Sequence, residues 1–153
     1  MYITQVFEYS KFVPFFALCS RRLCGSNYLF FANFIMRVLL VEDNEELREF
    51  FVASLKEAAI DAEVAPGVDK IVERVENGSF DLLVIDSVLG GGDGIGLTQQ
   101  IRAGTKGANV PIILTSAIGT GLARRMAMNA GCTEFLIKPF GVGTFINLIR
   151  KLV

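Results

Sequence analysis

Short runs of consecutive apolar residues alternate along most of this chain with longer segments whose apolar positions recur every three or four residues. The runs at Val38–Val41, Leu82–Ile85, Ile112–Leu114 and Glu134–Ile137 are nearly continuous, as expected of strands buried on both faces. Ala62–Ala65 reads as a shorter, weaker strand. After the first run, Asn44 is a good helix cap, Glu45 and Glu46 suit a first turn, and Leu47, Phe50, Phe51 and Leu55 form an apolar stripe. Asp69–Glu76 predicts a polar helix with Ile71, Val72 and Val75 inward, closed by Asn77-Gly78. Leu97–Arg102, Leu122–Ala130 and Val142–Leu152 predict three more helices, the second ended by Gly131. Gly90–Gly96, with five glycines, predicts a loop.

Five short strands alternating with five helices define an α/β fold, (βα)5, with a doubly wound parallel five-stranded sheet covered on both faces. In such sheets ligands bind outside the carboxyl ends of the strands, where strand order reverses. Those ends are polar here. Glu42-Asp43 closes the first strand, Asp86 the third, Thr115-Ser116 the fourth and Lys138-Pro139 the fifth. Adjacent carboxylates repel, and Mg²⁺ relieves that repulsion while accepting one or two carboxylates, waters and a phosphate oxygen. Asp86 can be a third metal ligand or a nucleophile toward phosphorus. Of the two hydroxyls, strand alternation and the small Ala117 that follows favour Ser116 as the one leaning into the site. The Lys138 ammonium can pair with a carboxylate at rest and with a phosphoryl oxygen when one is present. A cis Lys138–Pro139 bond would aim the lysine back at the site, although cis is the minority state.

The remaining composition narrows the chemistry. Among 153 residues there is no histidine, which excludes a Ser/His or Cys/His triad, a His-ligated metal and a phosphohistidine on this chain. Cys19, Cys24 and Cys132 are odd in number with no C-x-x-C pair, as in a reducing compartment. Cys132 reads as a small core residue. Net charge is −1, which argues against a nucleic-acid surface. Residues 1–35 form an N-terminal extension of different character, rich in Phe and Tyr with no clean period, and carry +2 against −3 for the rest. No run there reaches the ~18 apolar residues of a membrane span. The preferred reading is a start assigned upstream of the native one, because Met36 directly precedes the first strand; a loosely ordered arm and an interfacial anchor are the alternatives.

Glu42-Asp43, Asp86, Ser116-Ala117 and Lys138-Pro139-Phe140 stand in an order and spacing, 30 residues from Asp86 to Ser116 and 22 from Ser116 to Lys138, that resemble the receiver domain of bacterial two-component response regulators. The resemblance covers residues 37–153, so residues 36–153 are expected to form one receiver domain. It implies a flavodoxin-like sheet in the order 2-1-3-4-5 and a cytoplasmic signalling role. It further implies that Asp86 accepts a phosphoryl group from the phosphohistidine of a histidine kinase or histidine phosphotransfer protein. Glu42, Asp43, Asp86 and the Val88 carbonyl would hold Mg²⁺, Ser116 and Lys138 would contact the phosphoryl group, and Phe135 would be the switch aromatic. No output domain follows the last helix, so the expectation is a stand-alone module, not a classified enzyme, acting on a protein partner through its last two strands and helices.

The chain departs from that pattern in places. Glu42 stands where Asp is commoner, and Phe135 has no tyrosine hydroxyl. Leu89-Gly90-Gly91-Gly92 replaces the usual residue-proline pair, which should loosen this loop. An aspartate-nucleophile phosphatase of the haloacid-dehalogenase kind would need a second Asp at Val88. A flavin module would need a phosphate loop where Glu42-Asp43-Asn44-Glu45-Glu46 stands. A degenerate receiver acting as a phosphate sink or binding module remains compatible with the pattern. Arg124-Arg125 reads as a solvated helix face.

Overall fold

The structure, a computed structural model, describes residues 36–153; the 1–35 extension, with Cys19 and Cys24, lies outside the described residues. Its strands and helices run β1 (Arg37–Val41), α1 (Glu45–Glu57), β2 (Asp61–Ala65), α2 (Ile71–Asn77), β3 (Leu82–Asp86), β4 (Val88–Leu89), β5 (Gly92–Asp93), α3 (Gly94–Arg102), β6 (Ile112–Ser116), α4 (Gly121–Asn129), β7 (Glu134–Ile137) and α5 (Val142–Leu152). Five strands make one parallel sheet in the order β2-β1-β3-β6-β7. With the two-residue ribbon β4-β5 set aside, this is the expected 2-1-3-4-5 order.

The continuous apolar runs follow from the pleat. Val38 and Leu40 of β1, Leu82 and Val84 of β3 and Ile113 of β6 pack against Phe51 and Leu55 of α1 and Phe145, Ile146 and Ile149 of α5. The intervening Leu39, Val41, Leu83, Ile85, Ile112 and Leu114 pack on the other face with Ile71, Val75, Leu97, Ile101 and Ala127. Neither face can carry polar residues because both are covered, and each fully buried large side chain contributes about 1.5–3 kcal/mol of apolar burial.

Several local expectations need correction. The second helix begins at Ile71, not Asp69, because Lys70 takes a left-handed conformation (φ 57°) that no helix interior accepts. Gly78 ends that helix in extended backbone rather than a left-handed cap. Its lack of a side chain matters for space: a Cβ would lie 2.6 Å from the Phe80 ring and 2.7 Å from the Arg74 carbonyl. Gly131 does cap α4 in the left-handed region, at φ 96°. Phe50 is not inward with Phe51; it is 48% exposed.

The glycine segment is not a simple loop. Val88–Leu89 and Gly92–Asp93 pair antiparallel, and α3 starts at Gly94, three residues earlier than expected, because the Asp93 side chain accepts from Ile95 N–H at 2.9 Å. At the far edge of the sheet Arg102 fastens three segments. Its Nε donates to the Gly131 carbonyl at 2.8 Å, and its Nη1 to those of Gly107 and Val110 at 2.6 and 2.7 Å. Cys132 is a buried free thiol beside Met128, as expected of a core residue.

A Cβ on Gly94 would collide with the Asp86 carbonyl, whereas one on Gly91 would meet nothing within 4 Å. Gly94→Ala should therefore cost about 1–3 kcal/mol in urea unfolding, and Gly91→Ala should be near neutral. Equal effects would contradict the packing of α3 on β3.

Candidate functional site

One face of the sheet continues past its apolar core into four polar groups. Glu42 follows Leu40 by two residues, Asp86 follows Val84, Thr115 follows Ile113 and Lys138 follows Leu136, so the pleat carries all four on the side of α1 and α5. Backbone bonds extend the ladder to these positions: Glu42 N–H donates to Ala65 O at 3.1 Å, and Ser87 N–H to Thr115 O and Lys138 N–H to Ser116 O, both at 2.8 Å.

Lys138 leaves the end of β7 and reaches across β6 to the two strands beyond. Its Nζ lies 2.5 Å from Asp86 Oδ2 and 2.8 Å from Glu42 Oε2. The Lys138–Pro139 bond is cis. Beneath the lysine, Phe51 stacks on Phe140 at 5.7 Å and packs on Phe145 at 5.1 Å, and the ammonium sits 6.0 Å from the Phe51 ring centre. Burial alone would pull the lysine down, but the hydrogen bonds and attraction of Asp86 and Glu42 outweigh it and hold the ammonium above the ordinary lysine range. Glu42, 1% exposed, moves the other way from what its ion pair would give. Desolvation pushes its carboxyl up, and Lys138 recovers only part of that.

Glu42, Asp43 and Asp86 each offer a carboxylate oxygen, all within 4.8 Å of one another. This is an oxygen-only, hard donor set with three negative charges against one ammonium, and it fits a small divalent cation. The longer Glu42 uses its extra methylene to reach Lys138, and its Oε1 accepts from Asn44 N–H at 3.4 Å. Asp43 Oδ2 accepts from Gly90 N–H at 2.6 Å, which ties the glycine turn to the acidic cluster. A Cβ on Gly90 would stand 2.9 Å from that oxygen, so a side chain there would displace the Asp43 carboxylate. Val88 N–H donates to Asp86 Oδ1 at 3.1 Å.

The two hydroxyls of β6 separate. Thr115 is in register with Asp86 and faces its side of the sheet. Ser116, the last strand residue, continues the opposite face after Leu114, and its Oγ accepts from Ile118 N–H at 3.0 Å. Alternation thus puts Thr115 on the face of Asp86 and Ser116 at the strand end on the other face. Phe135 is buried with the α3–α4 side of the core. Arg124 is not simply solvated: its Nη1 donates to the Phe135 carbonyl at 3.3 Å, while Arg125 is exposed. The double use of Lys138 and the Asp43–Gly90 bond went unforeseen; the length of Glu42 was the available signal for the first.

The parallel sheet thus gathers three carboxylates and a lysine at its carboxyl edge. Residues 38–150 match the response regulator receiver domain, and the chain belongs to that family. The transcriptional regulatory protein CusR of Escherichia coli is 28% identical over 118 residues, 77% of this chain and 51% of CusR, so the chain spans about half the length of that relative. The receiver domain of the sensor histidine kinase PA1611 from Pseudomonas aeruginosa is 27% identical with a TM-score of 0.72, covering 77% of this chain and 97% of that one; it has a magnesium ion coordinated in its active-site cleft. The chemotaxis protein CheY4 of Vibrio cholerae shares the fold at 19% identity, with a TM-score of 0.73 over 78% of this chain and 99% of its own. Among the described residues no helix is long and apolar enough to cross a membrane.

The lysine gives a pH signature. Because its folded value is raised, its stabilising contribution is complete below the ordinary value of about 10.4 and is lost as pH rises through the higher folded value. Melting temperature should therefore fall more steeply above about pH 10 in the wild type than in Lys138→Met. Parallel alkaline limbs would show that the lysine carries no such linkage.

Proposed function

We propose that this chain is a phospho-accepting receiver of a two-component system or phosphorelay, with Asp86 as the acceptor. The observation that carries this reading is the Lys138 ammonium seated on Asp86 Oδ2 beside two further carboxylates. An Asp86 oxygen attacks the phosphorus of a phosphohistidine on a histidine kinase or histidine phosphotransfer protein. The P–N bond breaks and the imidazole leaves. Val88 N–H and Lys138 orient the nucleophile, and Lys138 follows the charge onto a phosphoryl oxygen. Glu42, Asp43, Asp86 and the Val88 carbonyl would hold Mg²⁺, which when bound neutralises charge on the phosphoryl oxygens. Ser116, at the rim of β6, contacts the phosphoryl group, and Phe135, lacking a hydroxyl, answers by packing alone.

Output passes to a protein partner over the last two strands and helices, β6, α4, β7 and α5, where Leu122, Met126 and Ile137, and Ile118 between β6 and α4, are exposed. Phosphorylation shifts a two-state equilibrium of that face. The donor approaches beside an apolar groove of about 540 Å³ lined by Leu47, Phe50, Phe51, Pro139 and Phe140 next to Lys138. The setting is cytoplasmic, and the role is signalling rather than turnover of a free substrate. Val88 supplies no carboxyl for the general acid that a haloacid-dehalogenase type of phosphatase requires.

Incubation with Mg²⁺ and acetyl phosphate should add one acid-stable, base-labile phosphate by intact mass, and Asp86→Asn should abolish it. No gain in the wild type, or equal gain in the variant, would overturn the assignment. Amides of residues 89–94 should exchange rapidly without Mg²⁺ and more slowly with it, and slow exchange in both states would count against metal binding beside this ribbon.

A further inference from the structure

Thr115 carries a hydroxyl that the resting structure does not use. The residue is 1% exposed, and its Oγ1 has no hydrogen-bond partner. A buried hydroxyl with no partner loses its water and gains nothing, and a valine of the same shape would pack there without that loss. Ser87 Oγ is likewise unpartnered, but by alternation it lies on the opposite face from Asp86. Thr115 instead stands in register with Asp86, on the same face, in the strand that Lys138 crosses to reach Asp86.

Both Asp86 oxygens are occupied at rest. Oδ1 accepts from Val88 N–H and Oδ2 from Lys138 Nζ. Resting on the proposed reading of Asp86 as phosphoacceptor, we infer that Thr115 is a positioning residue whose hydroxyl donates to Asp86 once Lys138 has moved to the phosphoryl group. Oδ2, from which the lysine has withdrawn, then receives the hydroxyl of the register partner of Asp86.

The chemical consequence falls on loss of the phosphate. In hydrolysis a water oxygen forms a bond to phosphorus and the Asp86 O–P bond breaks, its electron pair remaining on the carboxylate. One water proton stays on the released phosphate and the other goes to solvent. Negative charge returns to the Asp86 carboxyl group as the bond breaks, and a hydroxyl donating there stabilises the leaving carboxylate more than the neutral carbonyl of the acyl phosphate. Thr115 thereby shortens the lifetime of the phosphorylated state.

The test uses the full chain, loaded with acetyl phosphate and Mg²⁺, freed of donor, and followed by intact mass. Thr115→Val should lose phosphate about fivefold more slowly than wild type, the rate equivalent of one hydrogen bond. Its melting temperature should be unchanged or higher. Thr115→Ser should retain the wild-type rate. If the valine variant fails to fold, Thr115→Ala against Thr115→Ser isolates the hydroxyl, since both lack the methyl group. Equal rates with and without the hydroxyl would overturn the inference while leaving Asp86 as acceptor. A wild type that takes up no phosphate would instead overturn the reading on which it rests.

Discussion

The site depends on a single ammonium. Lys138 binds carboxylates from two strands that are not its own neighbours, and it does so from a partly buried position. Breaking such a pair from one side leaves a buried charge exposed to its like-charged neighbours, a loss of about 3–5 kcal/mol in comparable cases. The arrangement therefore holds only while the lysine stays or a replacement cation takes its place. That dependence explains the neighbourhood. The Phe51–Phe140–Phe145 ring cluster supports the lysine from below, and the ladder bond from Lys138 N–H to Ser116 O fixes its backbone. Glu42 shows the cost of this economy: its burial opposes its own charge, and Lys138 compensates only in part.

The acidic cluster also reaches outward. Asp43 is exposed, yet it holds the Gly90 amide and so connects the cluster to the ribbon after Asp86. The glycines there meet neighbours rather than open space at three points: Gly90 at Asp43, Gly92 at Val68 and Gly94 at the Asp86 backbone. Only Gly91 stands free. The segment is therefore shaped by crowding, and the Gly90 amide takes one oxygen of the Asp43 carboxylate.

The sheet was legible in the sequence because burial on both faces leaves an unbroken apolar signature. The bounds of β7 and α5 fell where the pattern put them. The polar ends of the strands were legible for the same reason, since polarity there interrupts the run abruptly. What escaped were features set by tertiary contact. Lys70 in a left-handed conformation shortens α2, Asp93 starts α3 early, and Phe50 turns outward although it shares a helical stripe with Phe51. The facing of Thr115 and Ser116 was not legible either. Alternation gives only relative orientation, and its phase becomes known only once Ile113 is assigned to the α1–α5 face.

Arg102 lends the molecule a final asymmetry. Its guanidinium gathers the carbonyls of Gly107, Val110 and Gly131, so the end of α3, the approach to β6 and the exit from α4 are stapled together at the edge remote from the carboxylates. Toward the opposite rim Thr120 caps α4, and Arg124 of that helix reaches the Phe135 carbonyl of β7. Each rim is thus fastened by a single cation, Arg102 gathering carbonyls at one and Lys138 carboxylates at the other.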